Sequence, residues 1–285
     1  MLPDDQWFTE ICKEGGSAFS LKLKSKLHEE KTPHQIIAIY DTETFGHLMV
    51  INGCTMVSQR ENFIYHEMMS HPALYTHDNP ENVVIIGGGD CGTLREVLYH
   101  TEVKSVTQIE IDERVTRLAE QYFPELCEAN IDSRALFYFG DGIQWMQQAP
   151  ANSIDIIIID STDPVGPAEG LFTEAFYRDC YQALRRGGII VQQSESPLYH
   201  LDNIKTMHQS MRAASFNATC TLQFFQCLYP SGWWSCTMAG KNNNLGEFRE
   251  HDINIRNFET RYYNVDIHQA ARVLPEFLRS NLNDN

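Results

Sequence analysis

Residues 83–100 read VVIIGGGDCGTLREVLYH: four apolar residues without alternation, a glycine-rich turn, then a helical run from Thr93 to Tyr99. A short unbroken apolar run of this kind suits a strand buried on both faces. Gly87, Gly89 and Gly92 make a G-x-G-x-x-G in the strand–turn–helix setting where glycines let backbone approach a ligand closely. Glu110, in QIEID, follows Gly92 by 18 positions near the end of the next strand. An acid at that distance grips ribose hydroxyls. Asp90 lies inside the turn, where it would repel a pyrophosphate and attract a cation, so an adenosyl sulfonium is favoured over a nicotinamide dinucleotide.

The same alternation continues outward. Val115, Leu118, Ala119 and Tyr122 fall at helical spacing, and a third strand ends in Gly140-Asp141-Gly142. Asp141 suits either of two roles, acceptor for an adenine amine or N-cap of the next helix. A fourth strand, IDIIIID (154–160), runs into Asp160-Ser161-Thr162-Asp163-Pro164. Strand C-termini line the ligand crevice of an open α/β sheet, so Asp160 and Asp163 belong beside the cofactor. The alternative is an Asx-turn, but so many converging acids carry an electrostatic cost unless a cation answers them. Gly187-Gly188 is expected to stop a helix begun near Thr173, a further helix runs from about 202 to 216, and residues 222–238 suggest an antiparallel edge. The KNNN stretch at Lys241 suggests a mobile loop. Upstream, Phe19, Leu21, Leu23 and Leu27 share one strand face, residues 35–40 form a second run, and Asn52-Gly53 suits a tight type I′ hairpin turn. The expected class is α/β: a small N-terminal β domain over 1–61, then a Rossmann-like doubly wound sheet over 62–285.

Composition narrows the partners. A chain of 285 residues with 42% hydrophobic residues buries a sizeable core, and a formal charge of -16 repels nucleic acid while favouring a cationic small molecule. The start, MLPDDQWFTE, lacks the basic and apolar regions of a signal peptide, and no apolar run is long enough to span a membrane. A cytoplasmic location is expected. Eight cysteines without a C-x-x-C pair read as reduced thiols. Cys91, at a helix N-terminus in the cofactor loop, is expected to be thiolate-prone. His66 and His71 are five apart, not the four that a zinc-protease helix needs, so that metal site is set aside. Trp233-Trp234 and Phe224-Phe225 are assigned to packing rather than stacking.

Several segments together resemble the spermidine synthases, or aminopropyltransferases: FIYHEMMSHPAL (63–74), IIGGGDCGTLREVLYH (85–100), QIEID (108–112), GDG (140–142), DSTDPVGPAEGLFTEAFY (160–177), QSESP (193–197), LYPSG (228–232) and RYYNVDIHQAA (261–271). The resemblance implies a methyltransferase-type C-terminal domain and a homodimer or homotetramer. It implies that decarboxylated S-adenosylmethionine serves as co-substrate, with no metal, and that its aminopropyl group passes to a diamine such as putrescine. Gln35, Glu110, Asp141, Gly142 and Pro167 match positions that hold the adenosyl part, and Asp90 matches the acid for the aminopropyl amine. Tyr65, His66, Asp163 and Tyr229 match positions around the acceptor, with Ser161 and Thr162 in the same loop, and Asp160 matches the proton acceptor. The chemistry agrees with so many acids, because both substrates carry positive charge and the attacking amine must lose a proton, which the Asp160 carboxylate and the Tyr65 hydroxyl, the two expected catalytic groups, can take or relay. Cys91 departs from the usual glycine, Met56 from a glutamine, and S-Q-R-E-N from T-E-R-D-E, which touches acceptor preference and rate. A methyltransferase using the intact cofactor is disfavoured because its carboxylate would face Asp90. A non-catalytic polyamine binder is disfavoured by the presence of both Asp160 and Asp163.

Overall fold

The computed structural model describes residues 3, 6–164 and 166–282, apart from the side chain of Pro167. Strands β1 (Trp7–Cys12), β2 (Ser17–Lys31), β3 (Ile36–Thr42), β4 (His47–Ile51) and β5 (Cys54–Ser58) form an antiparallel sheet in chain order. Asn52 and Gly53 carry φ of 51° and 86° between β4 and β5, as a primed two-residue turn requires.

Helix α1 (Asn62–Thr76) opens the α/β part. It is followed by β6 (Asn82–Gly87), α2 (Gly92–Leu98), β7 (Ser105–Glu110), α3 (Glu113–Tyr122), β8 (Ala135–Phe139), α4 (Gly142–Gln148) and β9 (Ile154–Asp160). Then come α5 (Glu174–Ala183), β10 (Leu184–Gln193), α6 (Leu201–Ala213), β11 (Ala218–Phe225), β12 (Trp233–Gly240), α7 (Glu250–Ile255), α8 (Val265–Ala271) and α9 (Glu276–Leu282). The seven-stranded sheet runs β11-β12-β10-β9-β6-β7-β8, a doubly wound core with an antiparallel β11–β12 edge. Chain order reverses between β6 and β9, whose last residues, Gly87 and Asp160, are register partners. That reversal opens the ligand crevice of such folds.

Alternating residues of one strand explain the unbroken apolar runs. Val83, Ile85, Ile156 and Ile158 face α1 and α2, while Val84, Ile86, Ile157 and Ile159 face α4, α5 and α6. Both faces are covered, so every residue of the run is buried, each worth about 1.5–3 kcal/mol.

Two expectations are corrected. The Gly187-Gly188 pair does not stop α5, which ends at Ala183; the glycines lie inside β10, at a register shift where Gly187 takes φ 86°. The backbone turns extended at Leu184, and the Lys241 ammonium donates there to the carbonyls of Tyr181 (2.7 Å) and Leu184 (2.6 Å). The KNNN stretch is therefore anchored rather than loose: Lys241 is buried, and Asn243 donates to the Gly187 carbonyl at 3.2 Å. No helix among the described residues is long and apolar enough to cross a membrane.

Candidate active site

The crevice at the β6/β9 reversal is a cavity of about 430 Å³. Its loop explains the glycines. Gly87 has φ 83°, and a Cβ there would overlap the Asp160 carbonyl oxygen; the Gly88 amide donates to that oxygen at 2.7 Å. A Cβ at Gly92 would overlap the His66 ring. Both glycines thus serve the close approach of protein to protein as much as to a ligand.

One end of the cavity is apolar, lined by Ile86, Ile109, Ile143, Ala168 and Leu171. Glu110 stands at its edge, with Oε1 accepting from the Asp112 amide (2.9 Å) and Oε2 lying over Gly89. Burial pushes Glu110 up to about 7. Gln35 reaches across from the N-terminal sheet and donates to Asp112 at 3.0 Å. Asp141 caps α4, accepting from the Ile143 amide at 2.7 Å, as the cap reading expected, and it also lines the cavity. Gly142 lies beside it. Val165 and the side chain of Pro167 lie outside what is described.

The other end is acidic. Asp160 accepts from the Tyr65 hydroxyl (2.7 Å) through one oxygen and from Thr93 (2.6 Å) through the other. Asp90 accepts from the Gly92 amide (2.8 Å) and pairs with His66 Nε2 (3.1 Å). The two acids are driven apart. Burial raises Asp160, and the Asp90 charge raises it further. Burial also pushes Asp90 upward, but His66, the Gly92 amide and Arg95 outweigh it and hold the carboxyl below its ordinary range. An acid kept ionised beside one that takes a proton readily is a division of labour for proton transfer. Asp163, raised mainly by burial, accepts from Gln193 at 3.3 Å, and Ser161 and Thr162 complete this wall. Tyr229 packs edge-on to Tyr65, with ring centroids 5.7 Å apart, and donates to the Met56 carbonyl at 2.6 Å.

His66 does not line the cavity. It is buried behind Asp90, and reaches the site only through that carboxylate. His71, by contrast, meets His100 at 3.0 Å, so the two histidines of the HEMMSH run serve different places. The thiolate expected at Cys91 is overturned: the thiol is fully buried, and the neighbouring Cys127, burial and the Asp90 charge drive its pKa well above the ordinary value.

Other residues of the site went unassigned from the sequence. Glu10 on β1 lines the cavity, accepting from the Thr55 amide (2.7 Å) and hydroxyl (2.6 Å), and burial raises it. Gln193 and Trp234 line the cavity too, while Thr93 lies outside the lining and reaches the site through its bond to Asp160; the Trp234 ring tilts against Tyr229, centroids 4.7 Å apart, and lines the cavity instead of only packing the sheet edge. WFTEIC carries no apolar–polar alternation, so the sequence held no signal for Glu10.

Comparison with known proteins identifies the family. Residues 62–249 match the spermine/spermidine synthase domain, and residues 6–59 match the spermidine synthase tetramerisation domain. A polyamine aminopropyltransferase of Methylococcus capsulatus is 64% identical over 277 residues, covering 97% of each chain. A crystal structure of a spermidine synthase in complex with the transition state analogue AdoDATO superposes with a TM-score of 0.93 at 34% identity, over 97% of this chain and 94% of that one. Spermidine synthase from Thermotoga maritima superposes with a TM-score of 0.92, again at 34% identity and the same coverage. The chain belongs to the spermine/spermidine synthase family of aminopropyl-transferring enzymes.

Proposed function

We propose that the chain transfers the aminopropyl group of decarboxylated S-adenosylmethionine to putrescine, giving spermidine and 5′-methylthioadenosine. The observation that carries this reading is the split cavity, apolar where a nucleoside fits and acidic where two amines must meet. Glu110 and Gln35 hold the ribose end, Asp141 the adenine, and Asp90, backed by His66, the donor's ammonium. The acceptor nitrogen sits against Asp160. Its lone pair forms a bond to the methylene beside sulfur, the carbon–sulfur bond breaks onto sulfur, and the proton leaves to the Asp160 carboxylate. Tyr65 and Thr93 hold that carboxylate in place from both sides. Asp163 and Glu10 face the acceptor's far ammonium, and Tyr229 closes the wall.

We further propose that the chain comprises two units, 1–61 and 62–285, and assembles as a homodimer or homotetramer, a reading supported by the match to a tetramerisation domain. Eight unpaired thiols support a cytoplasmic location. Incubation of purified protein with the decarboxylated donor and a panel of putrescine, cadaverine, agmatine and spermidine, read by mass spectrometry, tests the function. Spermidine with equimolar methylthioadenosine is expected; preferential reaction of another amine would overturn the acceptor assignment, and no transfer to any amine would overturn the reaction.

A further inference from the structure

Strand β10 ends at Gln193, and two residues later Glu195 takes φ 57°, a left-handed conformation that is strained for any residue but glycine. Glu195 is also buried. Its neighbours hold it there. The Ser235 hydroxyl, on β12, donates to the Glu195 carbonyl at 2.9 Å, and Asn203, exposed on α6, donates to the Glu195 carboxyl at 2.8 Å. The other carboxyl oxygen lies 3.5 Å from His200 Nδ1, which accepts from the Ser196 amide at 3.3 Å while Nε2 meets Glu14 at 3.0 Å. A ring lone pair thus faces the carboxyl, an arrangement that suits a protonated acid. Burial first, then the charges of Asp163 and Glu14, raise Glu195 to about 8.

The turn aims one backbone group toward the site. The Glu195 amide donates to the side-chain oxygen of Gln193 at 3.1 Å. A backbone N–H cannot accept, so it fixes which end of the Gln193 amide faces it. The opposite end is then the NH₂, which donates to the Asp163 carboxylate at 3.3 Å. Turned the other way, the amide would set its oxygen against that carboxylate. Gln193 and Asp163 line the cavity, and Glu195 stands behind them. We propose that Glu195 is a positioning residue for the acceptor: its side chain clamps the left-handed turn, the turn orients Gln193, and Gln193 holds Asp163 against the acceptor's far ammonium. This role rests on the reading of Asp163 given above. It bears on acceptor binding and leaves the donor's grip and Asp160 untouched.

Steady-state kinetics of the full-length protein with putrescine and the decarboxylated donor test this, with circular dichroism as the folding control. Glu195→Ala should raise the putrescine KM roughly 10-fold, as expected when a group facing a charged ligand is left loose, with kcat at saturating putrescine and the donor KM retained. Glu195→Gln keeps an oxygen for Asn203 and offers an N–H to His200, so it should stay within about 2-fold of wild type. Asn203→Ala, on the helix surface, removes the clamp without touching the buried wall and should also raise the putrescine KM. In an Asp163→Asn background, Glu195→Ala should add nothing further. An unmoved putrescine KM in Glu195→Ala, or in Asn203→Ala should the first variant not fold, overturns the proposal, as does an equal rise in donor KM. A full effect of Glu195→Ala beside Asp163→Asn overturns its action through Asp163. A wild type that never transfers to putrescine overturns the acceptor reading and this role with it; unmoved variants beside an active wild type overturn this role alone.

Discussion

Replacing Asp160 by asparagine removes the proposed proton acceptor with little change of shape. The carboxylate is held by two hydroxyls, from Tyr65 and Thr93, and each can turn to donate to or accept from an amide, so the wall should survive. Burial and the Asp90 charge both disfavour ionised Asp160, so the unliganded variant should melt no lower than the wild type at neutral pH. Activity should not survive as well. Loss of a general base costs roughly 10²- to 10⁴-fold, equivalent to about 2.7–5.5 kcal/mol of barrier. An alkylamine of pKa near 10.4 is almost wholly protonated at pH 7, so the variant must wait for the rare neutral amine. Raising the pH supplies more of it. If Asp160 also carries the proton away, rescue stays partial even at alkaline pH; full rescue would leave it a positioning group only. Steady-state methylthioadenosine release between neutral and alkaline pH decides this, with circular dichroism as the folding control. A variant within a few-fold of wild type at neutral pH would refute the assignment.

Asp90→Asn should weaken calorimetric binding of the decarboxylated donor more than that of methylthioadenosine, which lacks the ammonium; equal losses would mean that Asp90 only shapes its loop. Gly92→Ala puts a methyl into the His66 ring, so it should cost about 1–3 kcal/mol of stability and raise the donor KM by loosening Asp90, as thermal melts and kinetics can check. Burial raises Glu61 and Glu110 to about 7 and Glu195 to about 8 from the ordinary 4.5. Groups raised in the folded state stabilise it fully below pH 4.5, and lose that contribution as pH rises through 7 to 8. The melting temperature should therefore decline across that window, and Glu110→Gln and Glu195→Gln should each flatten the decline; an unchanged slope in both would contradict it.

The α/β core was legible because its strands are buried on both faces, which leaves an unbroken apolar run such as IDIIII, and because the glycine turn has a covalent signature. The acid positions at strand ends followed from topology. What escaped is what depends on contacts distant in sequence. Helix α5 ends where Lys241, from another strand's end, reaches its carbonyls, so the nearby glycines were credited with a stop they do not make. Glu10 enters the site only because β1 lies against β2 and Thr55 donates to its carboxylate. Cys91 looked reactive from its place before a helix, yet its burial against Cys127 is invisible without the fold. His66 was grouped with the acceptor side through resemblance, while the structure stations it behind Asp90.

The cavity's division into an apolar end and an acidic end also bears on how a turnover finishes. Before the proposed transfer, positive charge is spread over both substrates. Afterwards the nucleoside thioether is neutral, and the charge that does not leave with the transferred proton sits on the lengthened amine. The acidic end then grips only one product, and the other is left with apolar contacts and ribose hydrogen bonds. Inhibition by the two products should consequently diverge with salt: screening weakens the hold on the polyamine and leaves the hold on the nucleoside nearly unchanged.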